Sequence, residues 1–210
     1  DSPDLFELDQ LAQSHEAILY VDDAHGFGVT HAGRGVAGAL NLTTDSAHTR
    51  VVMLTFGKAL GSVGAAILAP AYVIEYLVQR ARTFIYDTAL PAVCAAAAVA
   101  GLERLAASPE LPQQLQQNIA WFRTTAAAAG IELLPSDSPI QPVMIGDPER
   151  ALAVATALQT SGFYVRAIRP PTVPAGTARL RITINAGHTH NQMQGLLDAL
   201  ANALLPVSAA

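Results

Sequence analysis

Ala17-Ile18-Leu19-Tyr20-Val21-Asp22-Asp23-Ala24-His25-Gly26 opens as an unbroken apolar run and is cut off abruptly by acidic and small residues. A short continuous run of this kind predicts a strand buried on both faces, with polar groups at its carboxyl end. Val51-Val52-Met53-Leu54-Thr55-Phe56 repeats the design and finishes in Gly57-Lys58, and Gly64-Ala65-Ala66-Ile67-Leu68-Ala69 supplies a third run. Three such strands, separated by loops and helices, predict an α/β sheet with both faces covered. Ligands of such sheets gather outside the carboxyl ends of the strands, which makes Asp22, His25 and Lys58 candidates for one site.

Outward from these strands, Leu5 to Ser14 has helical apolar spacing, and Asp1-Ser2-Pro3-Asp4 before it reads as a helix start. Helices are predicted over Ala71 to Arg82, along the Ala-rich stretch to about Ala107, and over Leu111 to Ala129, with Phe84 to Pro91 a loop and Gly130 a stop. The uncharged stretch from Thr88 to Leu102 is interrupted by Pro91 and too short to span a bilayer easily, so it predicts a buried helix. From Ile131 the pattern changes. Strand Ile140 to Ile145, helix Pro148 to Thr160, strands Phe163 to Ile168 and Ala178 to Ile184, and a closing helix after Thr189 form a small α+β domain. Thr189 and Gln192 have capping-box spacing, a structural feature. The domains are therefore expected to be residues 1–130 and 131–210.

The 210 residues are 51% apolar and 14% charged, enough to bury a sizeable core, and the net charge is −5. No basic stripe suits nucleic acid or an anionic membrane surface, so a small-molecule partner is expected. Cys94 is the single cysteine, which excludes an intramolecular disulfide and fits a reducing, cytoplasmic setting. No metal site is expected, because Asp22-Asp23-Ala24-His25 has no further ligand cluster at a recognisable spacing.

Lys58, directly after a buried strand, is either a desolvated amine available for a Schiff base or a lysine whose stem packs on the sheet while its ammonium reaches water. Spacing leaves both readings open. Asp22 or Asp23 fits a partner for a protonated ring nitrogen and His25 a second ring contact, against a simple turn or cap. Gly26-Phe27-Gly28 lacks the third glycine of a dinucleotide loop and reads as a tight turn. In Arg169-Pro170-Pro171-Thr172-Val173-Pro174 three prolines stiffen the loop, and Arg179 and Arg181 share one strand face, where an arginine suits either a substrate carboxylate or solvent.

Val21-Asp22-Asp23-Ala24-His25-Gly26-Phe27-Gly28-Val29, Gly33-Arg34-Gly35, the segment from Thr55 to Leu68 around Lys58, and the segment from Ile168 to Thr183 follow one another in an order that resembles the α-oxoamine synthases. This is a pyridoxal-phosphate family with the fold type I architecture, and the resemblance covers essentially the whole chain. It implies a mostly parallel sheet of the cofactor-binding large domain in residues 1–130 and the small C-terminal domain in 131–210. Residue by residue, Lys58 matches the Schiff-base lysine, Asp22 the partner of the pyridine nitrogen, His25 the group near the phenolic oxygen, and Thr55 a phosphate contact. Thr172 matches a substrate-contacting threonine, and Arg181 the arginine that receives the amino-acid carboxylate.

The proline-rich loop looks like the branch that condenses L-alanine with a pimeloyl thioester, carried on coenzyme A or acyl carrier protein, on the route to biotin. A glycine C-acetyltransferase-like activity, or a non-catalytic dimerising fragment, are the alternatives. The family also implies a homodimer with active sites at the interface. Asp87 stands where many relatives carry a hydroxyl residue; it is expected to point away from phosphate, with Thr88 a contact across the dimer. The family's glycine-containing phosphate loop, stacked histidine, serine and substrate-binding arginine match no residue here. The chain is therefore expected to be N-terminally incomplete and inactive, or nearly so, alone.

Overall fold

Asp4 starts the first helix: its Oδ1 accepts from the backbone N–H of Phe6 at 3.0 Å and of Glu7 at 3.1 Å, satisfying two donors that the first turn of α1 (Leu5–Ser14) leaves open. The computed structural model describes residues 3–40 and 49–205, so Asp1 and Ser2 of the expected helix start lie outside the described residues. Strands β1 (Leu19–Asp22), β2 (Arg50–Thr55) and β3 (Ala65–Leu68) form a sheet with β2 in the middle. β1 runs parallel to β2, pairing Asp22 with Met53, and β3 returns antiparallel, pairing Ala65 with Thr55. Leu5, Val21 and Val52 form the core between α1 and the sheet. A forked Arg50–Asp9 ion pair ties helix to strand on that side.

The covering of this sheet differs from the expectation of strands buried on both faces. β3 is largely exposed, with Leu68 half-open at 50%, because among the described residues its main neighbour is β2 and no helix lies across it. The Ala-rich helix is likewise not the buried helix expected. In α4 (Ala92–Ala107) only Ala98 is buried, while Val93 is 73% exposed, since the helix touches its unit along the narrow stripe of small residues that includes Ala98 and Gly101. α2 (Ala71–Arg80) buries no residue, and the loop expected from Phe84 begins instead as a short helix, α3 (Arg82–Ile85).

The chain divides into two compact units that meet at Pro112 and Gln113. Sequence pattern suggested a change near Ile131, but α5 (Glu110–Ala128) lies mostly in the C-terminal unit. It buries Leu115, Ile119, Phe122 and Ala126 at helical spacing, and the buried Asn118 donates from Nδ2 to the carbonyls of Asn185 at 2.9 Å and His188 at 3.0 Å. Arg123 reaches Gln141 Oε1 at 2.9 Å. In this unit β4 (Ile140–Gly146), β6 (Ala178–Thr183) and β5 (Arg166–Ile168) make an antiparallel sheet with β6 central. α6 (Pro148–Thr160) lies against all three strands and against α7 (His190–Leu204). Leu180 and Ile182 point into that core, while Arg181 and Thr183 alternate to the open face. The capping box at Thr189 and Gln192 is formed. β5 is shorter than expected because Gly162, at φ +88°, and Phe163 still belong to the stop of α6: the N–H of Phe163 bonds the carbonyl of Leu158 at 2.9 Å.

Candidate functional site

The carboxyl ends of β1 and β2 carry the first group of candidates. Register places Asp22 beside Met53, and alternation puts Thr55 on the same face as Met53, the face opposite the Leu5–Val21–Val52 core. Asp22 is exposed; its Oδ1 accepts the N–H of Ala24 at 3.0 Å. The acidic pair splits by burial, Asp23 being 2% exposed and packed so closely that a Cβ on Gly35 would stand 2.0 Å from its Oδ2. Gly35 lies at φ +78°, where glycine alone is unstrained. His25 follows, exposed, in the turn closed by the Phe27 N–H on the Asp23 carbonyl at 3.1 Å.

Lys58 sits in the loop joining β2 to β3. Its side chain is exposed rather than desolvated, and Nζ donates to Thr55 Oγ1 at 3.3 Å. Three contacts that sequence reading missed hold this loop. Ser62 donates from Oγ to the carbonyl of Cys94 on α4 at 2.7 Å. Leu60 is buried beneath Gly101 of the same helix, where a Cβ would come within 3.0 Å of the Leu60 carbonyl oxygen. Gly28, at φ +78°, meets Ala59, where a Cβ would stand 2.4 Å from the Ala59 Cβ. The loop after His25 and the loop of Lys58 are thus in contact. None of these is readable from local spacing; the glycine and serine positions were the only signals.

The second group lies in the C-terminal unit. Thr172 and Arg181 line one cavity of about 630 Å³, together with Tyr164, Arg166, Arg169 and the prolines of the stiff loop. Arg166 was not singled out in the sequence. Asp87 Oδ1 accepts the N–H of Thr88 at 2.9 Å, and both residues are exposed. Among the described residues no group of three or more His, Cys, Asp or Glu is arranged to hold a metal ion. No single described helix is long and apolar enough to cross a membrane; α4 and α5 reach that length and composition only as a pair bent by 78°.

The strand ends of this α/β unit thus carry an exposed lysine tethered to Thr55 at the end of β2 and an exposed aspartate at the end of its parallel neighbour β1. The family model described as aminotransferase class I and II matches residues 1–200, and the chain belongs to that family. It is 44% identical over 203 residues to an 8-amino-7-oxononanoate synthase of Stenotrophomonas maltophilia (strain R551-3), covering 97% of this chain and 49% of the relative. Among solved structures it is similar to a serine palmitoyltransferase from S. paucimobilis with a bound PLP–myriocin aldimine, with a TM-score of 0.85 at 32% identity over 97% of this chain and 51% of the other. It is also similar to the 8-amino-7-oxononanoate synthase of Francisella tularensis, with a TM-score of 0.76 at 33% identity, over 93% and 57%. The α/β fold expected from the resemblance is the one observed. The chain spans about half the length of the curated relatives it matches.

Proposed function

We propose that this chain carries the catalytic lysine and the amino-acid carboxylate site of a pyridoxal-phosphate-dependent α-oxoamine synthase. The reaction is the decarboxylative condensation of L-alanine with a pimeloyl thioester to 8-amino-7-oxononanoate, in biotin biosynthesis. The observation that carries it is the placement of Lys58, Thr55 and Asp22 at adjoining strand ends. These residues fit the cofactor: the exposed Lys58 amine suits an aldehyde, the Thr55 hydroxyl a phosphate oxygen, and Asp22 has an Oδ2 that makes no hydrogen bond among the described residues and suits a protonated ring nitrogen.

Pyridoxal phosphate, when bound, supplies an aldehyde and an electron-accepting ring. Lys58 Nζ would hold it through the aldehyde and would serve as the base for the proton on the substrate α-carbon. Asp22 would pair with the protonated ring nitrogen, and His25 would lie on the side of the phenolic oxygen. Arg181 grips the amino-acid carboxylate with its forked donors, and Thr172, in the same cavity, contacts the substrate. In this proposal the enzyme acts in the cytoplasm as a homodimer, with the acyl group carried on coenzyme A or acyl carrier protein.

The likeness to serine palmitoyltransferase, named for a different amino acid and acyl group, supports a related α-oxoamine synthase in general, and the second reading is one that uses glycine and a short acyl thioester. Assaying the complete polypeptide that carries this chain with L-alanine plus pimeloyl thioester, against glycine plus acetyl thioester, separates the two. Turnover of the first pair alone supports the proposal, and turnover of the second pair alone replaces it. No turnover of either, with no pyridoxal phosphate trapped on Lys58 by borohydride, sinks both.

A further inference from the structure

On the open face of the C-terminal sheet, Arg166 of β5 stands directly opposite Arg181 of β6. Residues so paired on antiparallel strands have Cβ atoms about 5 Å apart, and like charges there are destabilising. Both arginines are exposed, and neither makes a hydrogen bond or ion pair among the described residues. Both line the cavity of about 630 Å³, as does the exposed Arg169 of the stiff loop, and the lining contains no carboxylate. Arg179, next along the same face, is different: its Nε donates to the carbonyl of Thr177 at 3.0 Å, and it does not line the cavity. A repelling pair in a cavity without a counter-charge is stabilised when anionic groups enter.

We propose that Arg166 is a specificity-determining residue that receives the second carboxylate of a dicarboxylic acyl substrate, beside the amino-acid carboxylate on Arg181. This rests on the functional reading above. One forked guanidinium already satisfies both oxygens of one carboxylate, so the second arginine serves a second anion. The cavity wall beside them includes Ile168, Pro170 and Pro171, an apolar surface suited to the methylenes of a chain that ends in a carboxylate. Arg166 is the direct cross-strand partner of the substrate arginine, so it tells an acyl group with a terminal charge from one without.

The test uses this chain with heptanedioate and heptanoate as probes, titrated by calorimetry at low ionic strength. Heptanedioate is expected to bind about tenfold more tightly than heptanoate, the worth of one added charge-assisted contact. Arg166→Gln is expected to bring heptanedioate to the heptanoate level and leave heptanoate unchanged, while Arg179→Gln, which removes a nearby positive charge outside the cavity, leaves the preference intact. Because Arg166 is exposed, Arg166→Gln should fold, and without ligand it should unfold at a slightly higher temperature as the repulsion is relieved. Equal affinity for the two probes, or equal loss of both in Arg166→Gln, overturns the inference. Pimeloyl turnover in the complete polypeptide with an unchanged KM for the thioester in Arg166→Gln also overturns it, and leaves the proposed function standing.

Discussion

Lys58 Nζ donates to Thr55 Oγ1 at 3.3 Å, so the amine is tethered to the last residue of the strand that delivers it. Lys58→Ala is expected to abolish borohydride-trapped pyridoxal phosphate on this chain, as read by peptide mass. Thr55→Val keeps the shape and removes the acceptor; it is expected to weaken cofactor binding by roughly three- to tenfold in an absorbance titration, the worth of one ordinary hydrogen bond. Unchanged trapping in Lys58→Ala would move the chemistry to another amine.

Gly28 meets Ala59 across the two loops of the site, and its φ of +78° already excludes other residues from unstrained packing. Gly28→Ala is expected to cost about 1–3 kcal/mol in urea unfolding from combined backbone strain and overpacking. Adding Ala59→Gly should recover the packing share and leave the backbone share, so the double-mutant cycle shows a coupling. A cycle with no coupling would mean that the loops do not touch in solution.

Asn118 satisfies carbonyls of the turn that leads into α7 from a position 1% exposed. Asn118→Leu removes the side-chain donor from the His188 carbonyl and leaves the Asn185 carbonyl only the His188 N–H at 3.3 Å, and is expected to destabilise the C-terminal unit by about 1–3 kcal/mol. The single tryptophan, Trp121, stacks on His190 with ring centroids 4.5 Å apart, so its fluorescence reports unfolding of this unit. A midpoint unmoved by Asn118→Leu would contradict the network.

His188, partly buried in the same turn, accepts the Asn185 N–H at Nδ1 at 3.3 Å, and desolvation holds it below its ordinary value of 6.5. Between the lowered folded value and 6.5 the unfolded chain binds more protons, so this group's contribution to stability is present above about 6.5 and is lost as pH falls through that window. His188→Gln should therefore narrow the gap between stabilities measured at pH 7.5 and pH 5. An undiminished gap would assign the pH dependence to other groups.

Local chemistry made much of this fold legible. α1 and α6 begin and end where Asp4 and Asp147 cap them and where the apolar spacing stops, because a cap needs only neighbours in sequence. The strand ends holding Asp22, Thr55 and Lys58 were readable for the same reason: an apolar run broken by polar residues is a local event. Burial was not. The run Ala65–Leu68 and the alanines of α4 are apolar enough for a core, yet what covers them is set by elements distant in sequence. The pairing of Arg166 with Arg181 and the contact of Gly28 with Ala59 depend on register and on loop packing, which no spacing encodes. Likewise α5 shows a clear helical pattern without showing which sheet it serves.

The order of β4, β6 and β5 in the C-terminal sheet bears on how the chain is made. Among the described strands β4 pairs with β6, whose Thr183 partner of Ile140 leaves the ribosome about forty residues later; upstream of β4 Leu133 makes a single bridge to Val143. At roughly 5–20 residues per second this is an interval of several seconds in which β4 has no strand beside it. α6 emerges during that interval, and its buried Ala151, Val154 and Leu158 lie on a helix that packs against β4. During synthesis α6 is thus expected to act as a built-in chaperone for a strand waiting on its partner.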